Sequence, residues 1–228
     1  MKKRYKTKME TVDMGILGKW TGKLNATSVF GVHWPLANRS KPKQLITPSA
    51  AQELHNMKWT LATLFASKIR DVAKIGYELD SRKKSLMGVS RLRDHLLYHA
   101  ITGGKDGVTI NYENVLVSLG VITPLLFVKL KLTAAGTGRL KWKNDQHQED
   151  EVKLIRSADL IYLLIYNKTK DEVLKSGYVG QRSDELVNFE LLPFEHNDEL
   201  HCWAFAKSST SKDVSDSSYI DDVAVVMP

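Results

Sequence analysis

His95 and His99 stand four residues apart in RLRDHLLYHAITG. On a helix that spacing puts two imidazoles on one face, as a zinc site requires. A zinc protease of that kind carries a glutamate directly after its first histidine as general base; Leu96 stands there instead. No third ligand lies nearby in sequence, so the pair reads as a helix-end feature. Cys202, the single cysteine, sits between His201 and Trp203 in an alternating stretch. That is a setting for a buried small hydrophobe, whereas a nucleophilic thiol needs an electropositive, partly open one. In GKWTGKL, Gly18 and Gly22 enclose three residues, and Leu24 follows Lys23. A phosphate loop needs four residues between its glycines and a Ser or Thr after the lysine, so these glycines read as packing or docking positions. Asp213, Asp216, Asp221 and Asp222 lack the regular spacing of a calcium loop. No catalytic residue, metal site or cofactor is therefore assigned.

The elements that carry these residues follow from periodicity. Residues 1–12 read as a basic arm, and Leu24 to Leu36 as one or two short strands broken by Gly31 and Pro35. NRSKPKQLITPS reads as an extended connector, since each proline biases its predecessor away from helix. Pro48, Ser49 and Gln52 give a helix start. Leu54, Met57, Leu61, Leu64, Phe65, Ile69, Val72 and Ile75 then fall at spacings of mostly three and four, the stripe of one long amphipathic helix. Leu86, Val89, Leu92, Leu96 and Ala100 form a second stripe, closed by TGGKDG.

Beyond Gly107 the period changes to two. LFVKLKLT predicts Leu126, Val128, Leu130 and Leu132 on one strand face, with Lys129 and Lys131 on the other. AAGTG is a hairpin turn, and RLKWK places Leu140 and Trp142 in the core. DLIYLLIYN, EVLKSGYV, ELVNFELL, ELHCWAFA and SSYIDDVAVV complete seven short strands, the pattern of a β-sandwich. The expected architecture is α+β: a basic module over 1–120 (arm, short strands, two helices), then an all-β sandwich over 121–228.

Hydrophobic residues make up 43% of the 228 and charged residues 26%, values of an ordinary folded chain. No run approaches the roughly 18 apolar residues of a membrane helix, and the apolar run MGIL is too short for a signal peptide. The expected location is the cytoplasm or an assembled particle. Charge is uneven: residues 1–120 carry 20 Lys+Arg against 9 Asp+Glu, and residues 121–228 carry 13 against 17. Such asymmetry points the first half toward something anionic.

Several stretches, taken in order, resemble an uncharacterised family found in Bacteroidota. They are Gly15–Gly18 with Gly22-Lys23 (GILG…GK), Trp34, Arg39-Ser40-Lys41-Pro42 (RSxP), a Gln52-bearing helix, Ala100–Gly103 (AITG) and INYENVLVSLG. Ile165-Tyr166-Asn167, His201-Cys202-Trp203 and Ser215 to Tyr219 match landmarks of its C-terminal part. The resemblance implies a fibronectin type III-like fold for that sandwich and brings no activity. Where the family has a glycine-rich GKVGxVVGxxWKG, this chain has GKLNATSVFGVHWP.

These readings lead to a non-enzymatic structural or protein-interaction protein, with a component of a phage-like or other multi-subunit assembly as one form of it. The expected partner is a protein or a second copy of the chain, with no membrane and no small-molecule substrate. The alternative is nucleic-acid binding through the basic first segment. Lys19, Trp20, Lys23, Trp34, Arg39, Lys41 and Lys43 are the candidate contacts for either partner, because phosphates need cations and bases need aromatic faces.

Overall fold

The computed structural model describes residues 10–11, 22–24, 27–30, 37–40, 48–78, 88–104, 107–144 and 156–226. The chain divides into two compact units, residues 1–49 and 50–228. The module border expected near residue 120 falls inside the second.

The first unit holds four short strands: β1 (Glu10–Thr11), β2 (Gly22–Leu24), β3 (Thr27–Phe30) and β4 (Ala37–Ser40). They form one antiparallel sheet in the order β1-β4-β3-β2. The end of the expected arm is thus a strand paired with β4, and the start of the expected connector is β4 itself. The rest of the arm, and residues 41–47 of the connector, lie outside the described residues.

In the second unit, α1 (Ala50–Lys68) starts directly after Pro48-Ser49, as expected. The single long helix does not hold: the backbone leaves helical geometry at Ile69 (φ −100°, ψ 23°), and α2 (Arg70–Gly76) follows. No glycine or proline marks the break, and the apolar spacing runs straight through it. The stripe is also wider than this unit uses. Ala62, Phe65, Ala66, Ile69 and Val72 are buried, while Met57 and Leu64 are 43% and 55% exposed. The second stripe is α3 (Gly88–His95), continued by a π turn over Leu96–Ala100, with Leu92, Leu96 and Ala100 buried. Thr102–Gly104 of TGGKDG belong to β5 (Ile101–Gly104) and its Gly107 to β6 (Gly107–Ile110), which pair antiparallel, while Lys105 and Asp106 lie outside the described residues.

The remaining strands are β7 (Leu126–Thr133), β8 (Thr137–Lys143), β9 (Leu160–Asn167), β10 (Glu172–Gln181), β11 (Leu186–Glu190), β12 (Leu200–Lys207), β13 (Ser218–Tyr219) and β14 (Val223–Val226). They make two four-stranded sheets, β10-β9-β12-β13 and β11-β8-β7-β14. The expected seventh strand splits: β13 pairs with β12, then the chain crosses to the other sheet, where β14 runs parallel to β7. Leu130, Leu132, Leu140 and Trp142 are buried as predicted, but Leu126 is 37% exposed. A bulge between Leu126 and Lys129, with Phe127 at φ 50°, breaks the alternation there.

The architecture is α+β, with a largely β C-terminal part in which the sheet β10-β9-β12-β13 is covered on both faces. Ile161, Leu163 and Ile165 of β9, with Cys202, Ala204 and Ala206 of β12, pack against Leu130, Leu132, Leu140 and Trp142 of the second sheet. The alternate residues Leu164, Tyr166, Trp203 and Phe205 pack against Phe65, Ala66, Ile69, Leu92 and Leu96 of the helices. A strand buried on both faces needs apolar residues at every position, which is why β9 reads LIYLLIYN.

Candidate functional site

Four of the stretches that carry the family resemblance are far apart in sequence and meet in space. Tyr112 lies on a 3-10 turn (Tyr112–Asn114), Tyr166 on β9, His201 and Trp203 on β12, and Tyr219 on β13. Tyr112 stacks on His201 with ring centroids 3.9 Å apart and planes 16° from parallel. His201 Nδ1 lies 2.9 Å from the Tyr219 hydroxyl, and Trp203 meets Tyr219 edge-on at 5.7 Å. Phe65 of α1 completes the group, edge-on to Tyr112 and Tyr166 at 5.7 and 5.2 Å. Charged groups close its rim: Tyr166 donates to Asp171, Asp171 pairs with Lys68 of α1, and Lys168 pairs with Glu199 at 2.7 Å. Glu199 also faces His201 Nε2 at 3.3 Å. The contacts of Phe65, Lys68 and Tyr112 join α1 and the 3-10 turn to the sheet, and the others tie its strands and turns to one another.

The titrations of this group follow its burial. Burial pushes the phenols of Tyr112 and Tyr166 up, with Asp171 adding to the effect at Tyr166, and Tyr219 is pushed up to about 12. These hydroxyls stay protonated and can donate hydrogen bonds, but they supply no phenolate at neutral pH. Burial holds His201 below the usual histidine range, against the opposing pull of Glu199. His95 is held low by burial first and by His99 next to it.

The two histidines give a pH prediction. An unfolded histidine titrates near about 6.5, and both folded values lie below that. As pH falls below about 6.5, the unfolded chain takes up the protons first. The stability present above that pH is therefore lost as pH falls through the folded values. The urea midpoint is expected to drop between about pH 7.5 and 5.5, and His201→Gln to remove part of that slope. Glu199 acts in a lower window: Lys168 holds its carboxylate down, so its contribution is lost only below about pH 4.5. A wild-type midpoint that is flat over the upper window would contradict the assignment.

A second set of resemblance residues forms a backbone seam. Ser118 Oγ donates to the Ser215 carbonyl (2.7 Å), the Val117 amide to Ser217 Oγ (2.9 Å) and the Gly120 amide to Asp216 Oδ1 (3.0 Å). Leu119 N donates to the Gly76 carbonyl at the end of α2 (3.0 Å). Two glycines let these backbones approach. A Cβ on Gly76 would enter the Val117 carbonyl oxygen, and one on Gly120 the Val214 carbonyl oxygen. Gly120→Ala is expected to cost about 1–3 kcal/mol by overpacking, read as a lower urea midpoint. Gly104→Ala, facing open space, serves as the neutral control.

The other candidates each have their own surroundings. His95 and His99 face each other at 4.8 Å, and His95 Nε2 lies 3.1 Å from the Asn114 carbonyl oxygen. Among the described residues no three His, Cys, Asp or Glu side chains gather to hold a metal. Cys202 is fully buried, and burial pushes its thiol up. Asp213 accepts from Ser211, and Asp222 pairs with Lys129 at 2.7 Å. Of the basic candidates, Lys23 on β2 and Arg39 on β4 both lie in register with Ser28 of β3, one row across three strands. Lys19, Trp20, Trp34, Lys41 and Lys43 lie outside the described residues.

Sequence reasoning missed two features. The aromatic group needed contacts spanning residues 65 to 219, and no local spacing announces those. The outer side of α1 was hidden in its stripe, which reads as one core-facing side until the core shows which residues it uses. Asn56, Met57, Thr60, Leu61 and Leu64 of α1, with Val108 of β6, line a shallow groove of about 430 Å³. On the side of α1 shared by Ala62 and Ala66, Trp59, 41% exposed, carries the Arg93 guanidinium 4.2 Å above its ring.

A family profile matches residues 19–221. The chain belongs to DUF6266, a family of unknown function. No curated protein matches it. In this DUF6266 chain the matched span contains every member of the aromatic group and the whole backbone seam. Among the described residues no helix is long and apolar enough to cross a membrane.

Proposed function

We propose that this DUF6266 chain is a non-enzymatic structural or protein-interaction protein, and that the outer side of α1 is its contact surface. The observation that carries this reading is the apolar groove along α1, with Met57 and Leu64 43% and 55% exposed. Contiguous exposed apolar residues rimmed by polar ones are what binding surfaces use. The titratable groups clustered among the described residues, by contrast, serve contacts that hold strands and layers together. The strand order of the two sheets, with the last strand split between them, supports a fibronectin type III-like plan for the sandwich. Such sandwiches occur as components of phage-like particles, an argument by fold analogy alone. A Bacteroidota origin and a cytoplasmic or in-particle location belong to the same reading.

The test compares the full chain with its Met57→Glu/Leu64→Glu variant by sedimentation in extracts of the source cells. The wild-type chain should sediment as part of a larger species, and the variant, still folded by circular dichroism, should not. Equal sedimentation of the two would remove the reading.

Nucleic-acid binding is the second reading. Its support is the charge of residues 1–50, 10 Lys+Arg against 2 Asp+Glu, with Lys23 and Arg39 in one register row. Binding through phosphates must weaken steeply with salt. Weak affinity that is flat from low to moderate salt would exclude it.

A further inference from the structure

We infer that the outer stripe of α1 docks on the same stripe of a second copy of this chain, antiparallel, about a two-fold axis between Thr60 and Leu61. The inference rests on the interaction reading above and names the partner. On α1 the residues Glu53, Met57, Thr60, Leu61, Leu64 and Lys68 fall along one side of the helix, since each residue turns it by about 100°. Their spacing is four, three, one, three, four, the same from either end. A surface with that symmetry is self-complementary about a two-fold axis, as an isologous interface requires.

The side chains obey the same symmetry. In the antiparallel pair Met57 meets Leu64 of the other copy, Thr60 and Leu61 each meet their own counterpart across the axis, and Glu53 lies level with Lys68. Apolar groups therefore face apolar groups at the centre, and an acid faces a base at each end. A parallel pair would set Glu53 against Glu53 and Lys68 against Lys68. Lys68 already pairs with Asp171, yet its side chain keeps 29% exposure, and an ammonium has three donors to share. Val108 of the β5–β6 hairpin, which lines the groove, adds an apolar wall.

Single cysteines in the full chain test the register, because the native Cys202 is fully buried and stays silent. Thr60→Cys should form a disulfide-linked dimer on mild oxidation, since the axis passes within one residue of it. Met57→Cys alone should not: its two copies would lie about 10 Å apart along the helices, beyond disulfide reach. Mixing Met57→Cys with Leu64→Cys should give the crossed dimer. Light scattering of the wild-type chain should show dimers at about 100 μM. A wild-type chain that is monomeric there overturns the inference. So does a Thr60→Cys chain that is folded and uncrosslinked, or a Met57→Cys chain that links to itself as readily as Thr60→Cys. If the purified chain is monomeric while Met57→Glu/Leu64→Glu still abolishes the larger species in cells, self-docking falls and the interaction reading stands.

Discussion

Trp142→Ala is expected to lower the unfolding free energy by about 3–5 kcal/mol, the range for deleting a large buried aromatic. Trp142 is fully buried between the sheets among Leu130, Leu132, Leu140 and Ile161. Its Nε1 donates to the Arg182 carbonyl oxygen at 3.0 Å. Arg182 is itself buried, and its guanidinium reaches Asp159 (3.3 Å) and the carbonyls of Thr123 (2.5 Å) and Pro124 (3.1 Å). The truncation thus opens a cavity beside an ion pair that depends on a dry, fixed setting. Burial pushes the Asp159 carboxyl up in spite of Arg182, so the pair has little to spare. Trp142→Phe keeps most of the volume and loses the hydrogen bond; its cost should be nearer about 1 kcal/mol. Urea melts of the three proteins measure both. A Trp142→Ala loss below about 1 kcal/mol would show that this core collapses without penalty.

The second large effect concerns where the sandwich ends. A fragment of residues 121–228 is the expected β module, but it lacks the helical layer. Leu164, Tyr166, Trp203 and Phe205, buried against that layer in the full chain, would face water. At about 1.5–3 kcal/mol for each large apolar side chain, their exposure rivals the ~5–15 kcal/mol that holds a domain folded. The seam from Val117 to Gly120 onto Ser215, Asp216 and Ser217 would be severed as well. The fragment is expected to melt without cooperativity and to bind a hydrophobic dye. Residues 50–228 should melt in a single sharp transition with native near-ultraviolet dichroism. A cooperative melt and a native aromatic spectrum from 121–228 would place the border near residue 120 after all.

Local periodicity made the strands legible. The alternation in LFVKLKLT and RLKWK identified the buried Leu130, Leu132, Leu140 and Trp142, because a strand with one wet face must alternate. It failed at Leu126, where a bulge shifts the register without a glycine to announce it. The unbroken apolar run of β9 marked a buried strand, but periodicity cannot say what covers each face; helices cover one and the second sheet the other. The break at Ile69 left no trace, since helix propensity and apolar spacing continue through it. At the site, the sequence showed His201, Trp203, Tyr166 and Tyr219 as separate landmarks. Their meeting with Tyr112 and Phe65 depends on strand order and layer packing, which no spacing encodes. The stripe on α1 was visible as one face, and only the core shows that Ala62, Phe65 and Ala66 use a different side of the helix from Met57 and Leu64.

The central claim is that the outer side of α1 is covered when the protein works. Hydroxyl-radical footprinting reads this directly, by comparing the purified chain, diluted, with the chain recovered in its native assembly. Met57 and Leu64 should be oxidised readily in the dilute chain and strongly protected in the assembly. Tyr178 on β10 and Leu192 after β11, 50% and 53% exposed, should react equally in both. Equal oxidation of Met57 and Leu64 in the two samples, with protection at Tyr178 or Leu192 instead, would contradict the account.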